Sequence, residues 1–414
     1  MSRKTIWLVN PYGPIEGENW REYSFNQFGK FLSSNGFNVI WWTASFSHHF
    51  KEFRSRSWKD IKVNDHFIIR LVPTNSYKKN ISFGRFRKDF VFGKNAQLGF
   101  NKFKKPDLII AAENPMCMGS PAYKYAKKNN VPIIYDQMDI WPELLIQVLP
   151  EPISSFANIA MIPVYLKRKV IYKNLDGVIA LGKHYLEFMF DISPELRHKP
   201  NALVYNGIDV NKFRSHLNDE VTISKLPKEK PKGEIWCIFA GTLGPSYDIK
   251  SIIEAADYFD KNGENFKFII AGSGPFEGEV TDAEKRLNNL IYVGKLLPEE
   301  LIPIYGKCDI GLSTYSAGSN VDMCDKFYDY TAAGLAVVNS LTGEVSEHIE
   351  QRGLGKNYIA NDADSFIKAL DEYREYEYLL QSKNNSKDIG LEFDMNNQNH
   401  KLLCVINSII SSRI

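Results

Sequence analysis

Two series of short apolar runs, each alternating with longer amphipathic stretches, fill the two halves of the chain and restrict its fold more than any other feature. Runs such as Ile235–Ala240 and Ile310–Ser313 are almost continuously apolar, as parallel strands covered on both faces must be. Strands alternating with helices predict βα units, so two series predict an α/β chain with two parallel-sheet domains facing each other across a cleft. A length of 414 residues agrees with two domains of ordinary size. The expected boundaries are a first domain at 1–211, a polar Lys- and Pro-rich linker at 212–233 and a second domain at 234–390. A C-terminal helical segment at 391–414 is expected to pack back on the first domain.

In the first half, strands are expected at 5–9, 39–43, 68–72, 107–111, 131–135, 177–181 and 203–205, with helices at 23–35, 121–129 and 156–174. In the second, strands are expected at 235–240, 266–271, 290–293 and 310–313, with helices at 249–261, 298–308, 325–334, 364–382 and 399–411. The helix at 325–334 ends on Gly334, where a C-cap glycine belongs, and leads into the apolar run Leu335–Val338. Phe327, Tyr330 and Thr331 share one inward face, and Lys326 and Asp329 share the other. That pair fits either a surface ion pair or a phosphate and ribose contact near a helix N-terminus.

Charge is distributed unevenly. Residues 1–205 carry 29 Lys and Arg against 17 Asp and Glu, whereas the remainder carries 22 against 32. The basic half points to an anionic surface or substrate. Its densest block, 78–105, interleaves phenylalanines with Arg85, Arg87, Lys88, Lys102, Lys104 and Lys105. This block fits docking on an anionic inner leaflet or a solvated helix with its rings in the core. Nucleic acid is disfavoured as a partner, because the second half is acidic and no nucleic-acid module is recognisable. The five cysteines are scattered, with no CxxC pair and no metal-ligand spacing with histidine, so they are expected to be reduced and mostly buried in a cytosolic protein. No apolar run approaches the ~20 residues that span a bilayer, and the short run at 6–9 reads as a strand, not a signal peptide. Asp136 and Asp139 follow the strand at 131–135, where parallel sheets bind ligands, with a turn or N-cap role for Asp139 as the alternative.

Taken in order, six elements resemble those of GT-B glycosyltransferases, specifically glycosyltransferase family 4 in its bacterial capsule, O-antigen and exopolysaccharide branch. They are Asp139-Ile140-Trp141-Pro142-Glu143, Asn206-Gly207-Ile208-Asp209 with Phe213, Gly241-Thr242-Leu243-Gly244, Ala271-Gly272-Ser273-Gly274-Pro275, Tyr292-Val293-Gly294, and Lys326-Phe327-Tyr328-Asp329-Tyr330 with Ala332-Ala333-Gly334. The resemblance implies two Rossmann-like domains and retaining transfer of a sugar from a nucleotide-diphosphate donor, UDP- or GDP-linked, without an obligatory metal or other cofactor. The acceptor it implies is a lipid-linked saccharide or oligosaccharide, met by a cytoplasmic protein peripheral on the inner membrane.

Donor contacts are expected from Gly13, Gly241, Thr242, Lys250, Gly272, Gly274, Lys295, Gly318, Ser319, Asn320, Lys326 and Asp329. Gly272 and Gly274 would present N–H groups to phosphate, and Lys326 would supply charge. Asp139 would position the acceptor hydroxyl or take its proton. The chain departs from the family pattern at Thr242 and Tyr247, where Arg and Lys are usual, at Met138 in place of His, and at Asp329 in place of Glu. Those departures keep open a non-catalytic scaffold on the same fold, beside an epimerase-like enzyme with a soluble substrate.

Overall fold

The computed structural model describes the chain except residues 1–2, 19, 21–23, 81, 114–115, 144–145, 147–148, 320 and 413–414. It contains two compact units, residues 1–206 with 396–414, and residues 207–395.

The first unit is an eight-stranded sheet in the order β3-β4-β2-β1-β5-β6-β7-β8, parallel except for β3. Its elements run β1 (Thr5–Val9), α1 (Ser24–Ser34), β2 (Asn38–Ala44), β3 (Lys59–Asn64), β4 (Phe67–Val72), α2 (Phe83–Phe100), β5 (Leu108–Ala112), α3 (Met116–Lys128) and β6 (Ile133–Gln137). They continue with α4 (Ile153–Ala160), α5 (Ile162–Lys173), β7 (Gly177–Ala180), α6 (Lys183–Ile192) and β8 (Asn201–Leu203). Strand side chains alternate between two cores, as the pleat requires. Trp7 and Val9 join Phe92, Tyr125, Ile171 and Met189 from α2, α3, α5 and α6. Ile6 and Leu8 join Phe25 of α1 and Leu402 and Ile406 of the C-terminal helix on the other face. The helix expected at 156–174 is two helices separated at Met161, with Pro163, which lacks an N–H, opening the second.

The second unit holds a six-stranded sheet ordered β11-β10-β9-β12-β13-β14, with every pairing parallel. It runs α7 (Val210–Ser215), β9 (Ile235–Ala240), α8 (Ile249–Lys261), β10 (Phe266–Ala271), α9 (Glu277–Arg286), β11 (Leu290–Gly294), α10 (Pro298–Lys307), β12 (Ile310–Ser313) and α11 (Asp325–Ala333). Then come β13 (Ala336–Asn339), α12 (Glu344–Arg352), β14 (Gly355–Asn357), α13 (Ala363–Asp371) and α14 (Tyr376–Gly390), before α15 (Met395–Ser411).

The stretch expected as a linker belongs to this second unit, which begins at Gly207. Side chains hold it there: Lys225 Nζ donates to Glu284 and to the Tyr292 carbonyl, both at 2.9 Å, and Lys230 pairs with Asp309. The Asn206–Asp209 turn has a packing reason as well. Gly207 takes φ +55, and a Cβ there would lie 2.4 Å from the Phe393 carbonyl oxygen. Asp209 then caps α7 through the Lys212 N–H at 2.9 Å. Among the described residues no helix is long and apolar enough to cross a membrane.

Candidate active site

In the second unit strand order reverses between β9 and β12, and open α/β sheets bind ligands beyond the C-terminal strand ends at such a point. α11 is fixed there by Tyr330, whose ring lies against Gly311 and whose hydroxyl donates to the carbonyls of Leu312 (3.2 Å) and Ile238 (3.3 Å). Gly334 ends the helix in the left-handed conformation, φ +71. Phe327, Tyr330 and Thr331 are fully buried. Lys326 departs from the expected outward position, because it too is buried, at 8% exposure.

Its ammonium sits in a cage of rings, 3.9 Å from the centroid of Tyr247, 5.0 Å from Tyr315 and 5.1 Å from Phe239. It also lies directly over Gly241, where an added Cβ would come within 2.9 Å of Nζ. The cage is stitched from the loops after β9 and β12: Tyr247 and Tyr315 pair as an isolated bridge, and the Ser316 N–H donates to the Ser246 carbonyl at 3.1 Å. Among the described residues no carboxylate forms an ion pair with Lys326. Buried charges are normally paired, so ring faces hold this cation where an anion could join it.

The glycine turn after β10 is forced by backbone contact. A Cβ on Gly272 would lie 1.8 Å from the Gly241 carbonyl oxygen, and one on Gly274 would lie 2.4 Å from that of Leu243. Their φ values, +147 and +155, also exclude ordinary side chains. The expectation for Gly272 needs correction: its N–H donates to the Gly294 carbonyl at 2.8 Å and is not offered to a ligand. The Gly274 N–H has no such acceptor among the described residues.

Other expected donor residues are more peripheral. Thr242 and Lys295 are exposed, and Asp329 is half-buried one turn beyond Lys326. Lys250 extends from the exposed side of α8 and pairs with Glu254 at 3.4 Å, so the structure does not bring it to the cage. Gly318, at φ +81, and Ser319 form a turn in which the Ser319 N–H donates to the Ser316 carbonyl. Asn320 lies outside the described residues.

The first unit has a cavity of about 450 Å³. Its walls come from Ala112 at the C-terminal end of β5 and from chain segments just beyond β1, β2 and β6, including Tyr12, Gly13, His48, Met138 and Asp139, together with Arg85 and Phe86 of α2. The Tyr12 hydroxyl donates to Asp89 at 2.7 Å and accepts from Arg85 Nε at 3.2 Å. Lys88 Nζ lies 3.9 Å from the Tyr12 ring centroid and 3.3 Å from Asp89 Oδ1. Burial, opposed by Asp89, lowers the Lys88 ammonium to about 8. His48 falls to about 3 through burial and the cations Lys51, Arg85 and Lys88, so it is a neutral wall residue. Asp139 sits at the rim, where desolvation raises its carboxyl to about 6 against the pull of Arg85. Gly13, at φ +106, is clamped by Arg54, whose Nη2 donates to the Gly13 carbonyl at 2.7 Å while pairing with Glu18.

The basic block is therefore less superficial than its sequence implies. Lys88 is fully buried, a correction to its expected surface role, and Arg85 belongs to the cavity network. Arg87, Lys102, Lys104 and Lys105 are exposed, the last donating to the Asn129 carbonyl at 3.1 Å. Arg168 is also interior. It pairs with Glu143 and donates to the Trp141 carbonyl at 2.9 Å, which fixes the Asp139–Glu143 segment against α5. The aromatic cage and the Tyr12–Asp89–Lys88 network were not foreseen, because their members meet only through tertiary packing.

Residues 234–375 match the family model described as glycosyl transferases group 1. Sucrose-phosphate synthase from Thermosynechococcus elongatus superposes with a TM-score of 0.73 at 14% identity, covering 99% of this chain and 100% of that one. HepE from Anabaena, solved in complex with UDP and glucose, gives 0.63 at 14% identity, covering 98% and 100%. WaaG, a glycosyltransferase involved in lipopolysaccharide biosynthesis, gives 0.61 at 12%, covering 97% and 99%. No curated protein matches the chain in sequence. The fold is thus GT-B, and the match of residues 234–375 to the group 1 model together with these neighbours supports a glycosyltransferase.

Proposed function

We propose that the protein is a retaining family 4 hexosyltransferase that moves a sugar from a UDP- or GDP-linked donor to a lipid-linked or oligosaccharide acceptor in bacterial surface polysaccharide synthesis. The observation that carries this reading is the Lys326 ammonium, buried with no carboxylate ion pair among the described residues and caged over Gly241 at the strand-order reversal. A diphosphate leaving group supplies the missing anion, and a preformed cation stabilises the charge it acquires. Structures of HepE with UDP-glucose, a protein of the same fold, support a nucleotide-sugar donor. Asp329, one turn from Lys326, takes the ribose hydroxyls in this reading.

The acceptor occupies the first unit's cavity, whose aromatic walls and hydrogen-bonding rim suit a saccharide. In the reaction the bond from the anomeric carbon to the diphosphate breaks and the acceptor oxygen takes its place. The acceptor proton goes to Asp139 or to the departing phosphate. No step needs a metal or an organic cofactor, and the protein acts as a peripheral enzyme on the cytoplasmic leaflet.

The test is turnover of UDP- and GDP-sugars with a lipid extract as acceptor, followed by NMR of the new linkage. The expected product keeps the donor's anomeric configuration. An inverted product refutes retention, and absence of turnover with every donor refutes the assignment.

A further inference from the structure

Asp139 stands two residues beyond β6, and the last residue of that strand holds it from below. Gln137 is fully buried, and its Nε2 donates to the Asp139 carbonyl. Its Oε1 accepts from the hydroxyl of Tyr172 on α5, at 2.7 Å, and Tyr172 is fully buried as well. The partners fix which way the amide points. A backbone carbonyl only accepts, so the amide nitrogen faces Asp139, the amide oxygen faces Tyr172, and the tyrosine donates. Both ends of the Gln137 amide are thereby committed, and turning it over would break two hydrogen bonds at once.

α5 grips the same segment a second time. Arg168, one turn before Tyr172, donates from Nη1 to the Trp141 carbonyl at 2.9 Å and to Glu143 at 3.0 Å. Glu113, directly after β5, completes the group, with a buried carboxyl that faces Tyr172, Gln137 and Arg168. Burial raises that carboxyl to about 8 against the pull of Arg168, so it is neutral and sets no second negative charge beneath Asp139. Asp139 and Trp141 line the cavity, whereas Gln137, Tyr172, Arg168 and Glu113 do not. Any effect of these four on the chemistry therefore passes through the segment they hold. Apolar side chains of similar volume would fill fully buried positions without the cost of burying an amide and a hydroxyl. A satisfied polar chain ending on one carbonyl instead specifies one backbone position.

We propose that Gln137 and Tyr172 are positioning residues for Asp139: the chain from the Tyr172 hydroxyl through the Gln137 amide to the Asp139 carbonyl sets where the Asp139 carboxyl stands at the cavity rim. The inference rests on the transferase reading for its purpose, since there Asp139 must meet an acceptor hydroxyl. Geometry at a reacting group is exacting, and a displacement of about 1 Å can cost about a hundredfold in rate.

The experiment is a double-mutant cycle on the full chain, with a carboxyl titration beside it. Gln137→Met keeps the volume and should lower kcat about a hundredfold, with the KM and dissociation constant of the donor unchanged. Tyr172→Phe removes one oxygen, keeps the ring, and should lower kcat about tenfold; it carries the test alone if Gln137→Met does not fold. In the Asp139→Asn background neither substitution should lower the residual kcat further, because a positioning residue has nothing left to position. A merely structural role would give the same factor in both backgrounds. The titration follows the Asp139 carboxyl by 13C NMR. Desolvation at the rim raises it to about 6, with Arg85 of α2 pulling the other way; in Gln137→Met the midpoint should fall towards the ordinary ~3.9 as the carboxyl leaves its seat. Unchanged kcat, equal losses with and without the Asp139 carboxyl, or an unmoved midpoint would each overturn the proposal. A parent without turnover but with a moved midpoint counts against the transferase reading alone. An active parent whose variants keep its kcat and midpoint counts against positioning alone.

Discussion

Replacing Lys326 with Met keeps the apolar stem within the ring cage and removes only the charge. In the free protein the ammonium is 8% exposed and lies 3.9 Å from the Tyr247 ring centroid. A phosphate oxygen reaching it at ~4 Å gains ~4 kcal/mol at an effective dielectric of ~20. The net worth of a charged hydrogen bond is lower, ~1.5–3 kcal/mol, because both groups give up water. This ammonium has already lost most of its water on folding, so the upper end applies, about 3 kcal/mol. The dissociation constant for the correct nucleoside diphosphate should therefore rise about 150-fold, measured by calorimetric titration at fixed ionic strength. Affinity for the bare nucleoside should be unchanged. Lys326→Met binding the diphosphate within threefold of the parent would refute the phosphate role. Gly241→Ala approaches the same point from the other side: the new methyl would sit 2.9 Å from Nζ and displace the ammonium. It should weaken the diphosphate without unfolding the unit, since the flexible end of a side chain can move.

Other consequences follow from the same geometry. Asp139, raised to about 6, should give kcat/KM an acidic limb that falls below about pH 6; Asp139→Asn should lose that limb and most turnover while keeping donor affinity, and a retained limb would exclude Asp139 from proton transfer. Asp136 has both carboxyl oxygens buried with no hydrogen-bond partner among the described residues and is raised to about 8 by desolvation. Its unfolded value is ~3.9, so the folded state binds the extra proton between these limits, and this contribution to stability is present at low pH and lost as pH rises through about 8. Asp136→Asn should consequently stabilise the protein by ~1–3 kcal/mol at pH ~8.5 and little at pH ~4 in urea unfolding; equal effects at both would contradict a buried neutral carboxyl. Gly272→Ala should cost about 3 kcal/mol or more in the second unit, because its Cβ would lie 1.8 Å from the Gly241 carbonyl oxygen at φ +147. A soluble, equally stable Gly272→Ala protein would show that the turn is not close-packed.

The sequence displays its buried parallel strands most clearly. β9, β10 and β12, and the amphipathic α8, lie where their residues predict them, because burial on two faces or along one stripe leaves a regular apolar pattern. β3 escapes notice: it is an antiparallel edge strand, Lys59–Asn64, with no buried residue. α9 escapes as well, since Val280 and Ala283 are its only buried residues. The break at Met161 is marked locally only by Pro163, and the apolar residues continue through it at helical spacing. At the candidate site, the glycines and Lys326 stand out because local backbone constraints and a short motif mark them. Tyr247 and Tyr315 do not, because they become neighbours only when β9 and β12 pair side by side. Lys88 was misplaced for the same reason: a basic run shows charge, and only packing shows that its lysine is sealed in with Asp89 and Tyr12.

The most direct test of the central claim is calorimetric titration of the intact protein with UDP, GDP, ADP and TDP, each with magnesium and with a chelator. Binding of one diphosphate, unchanged by the chelator and lost in Lys326→Met, is the result the account predicts. Binding of none, or binding that survives Lys326→Met, would contradict it.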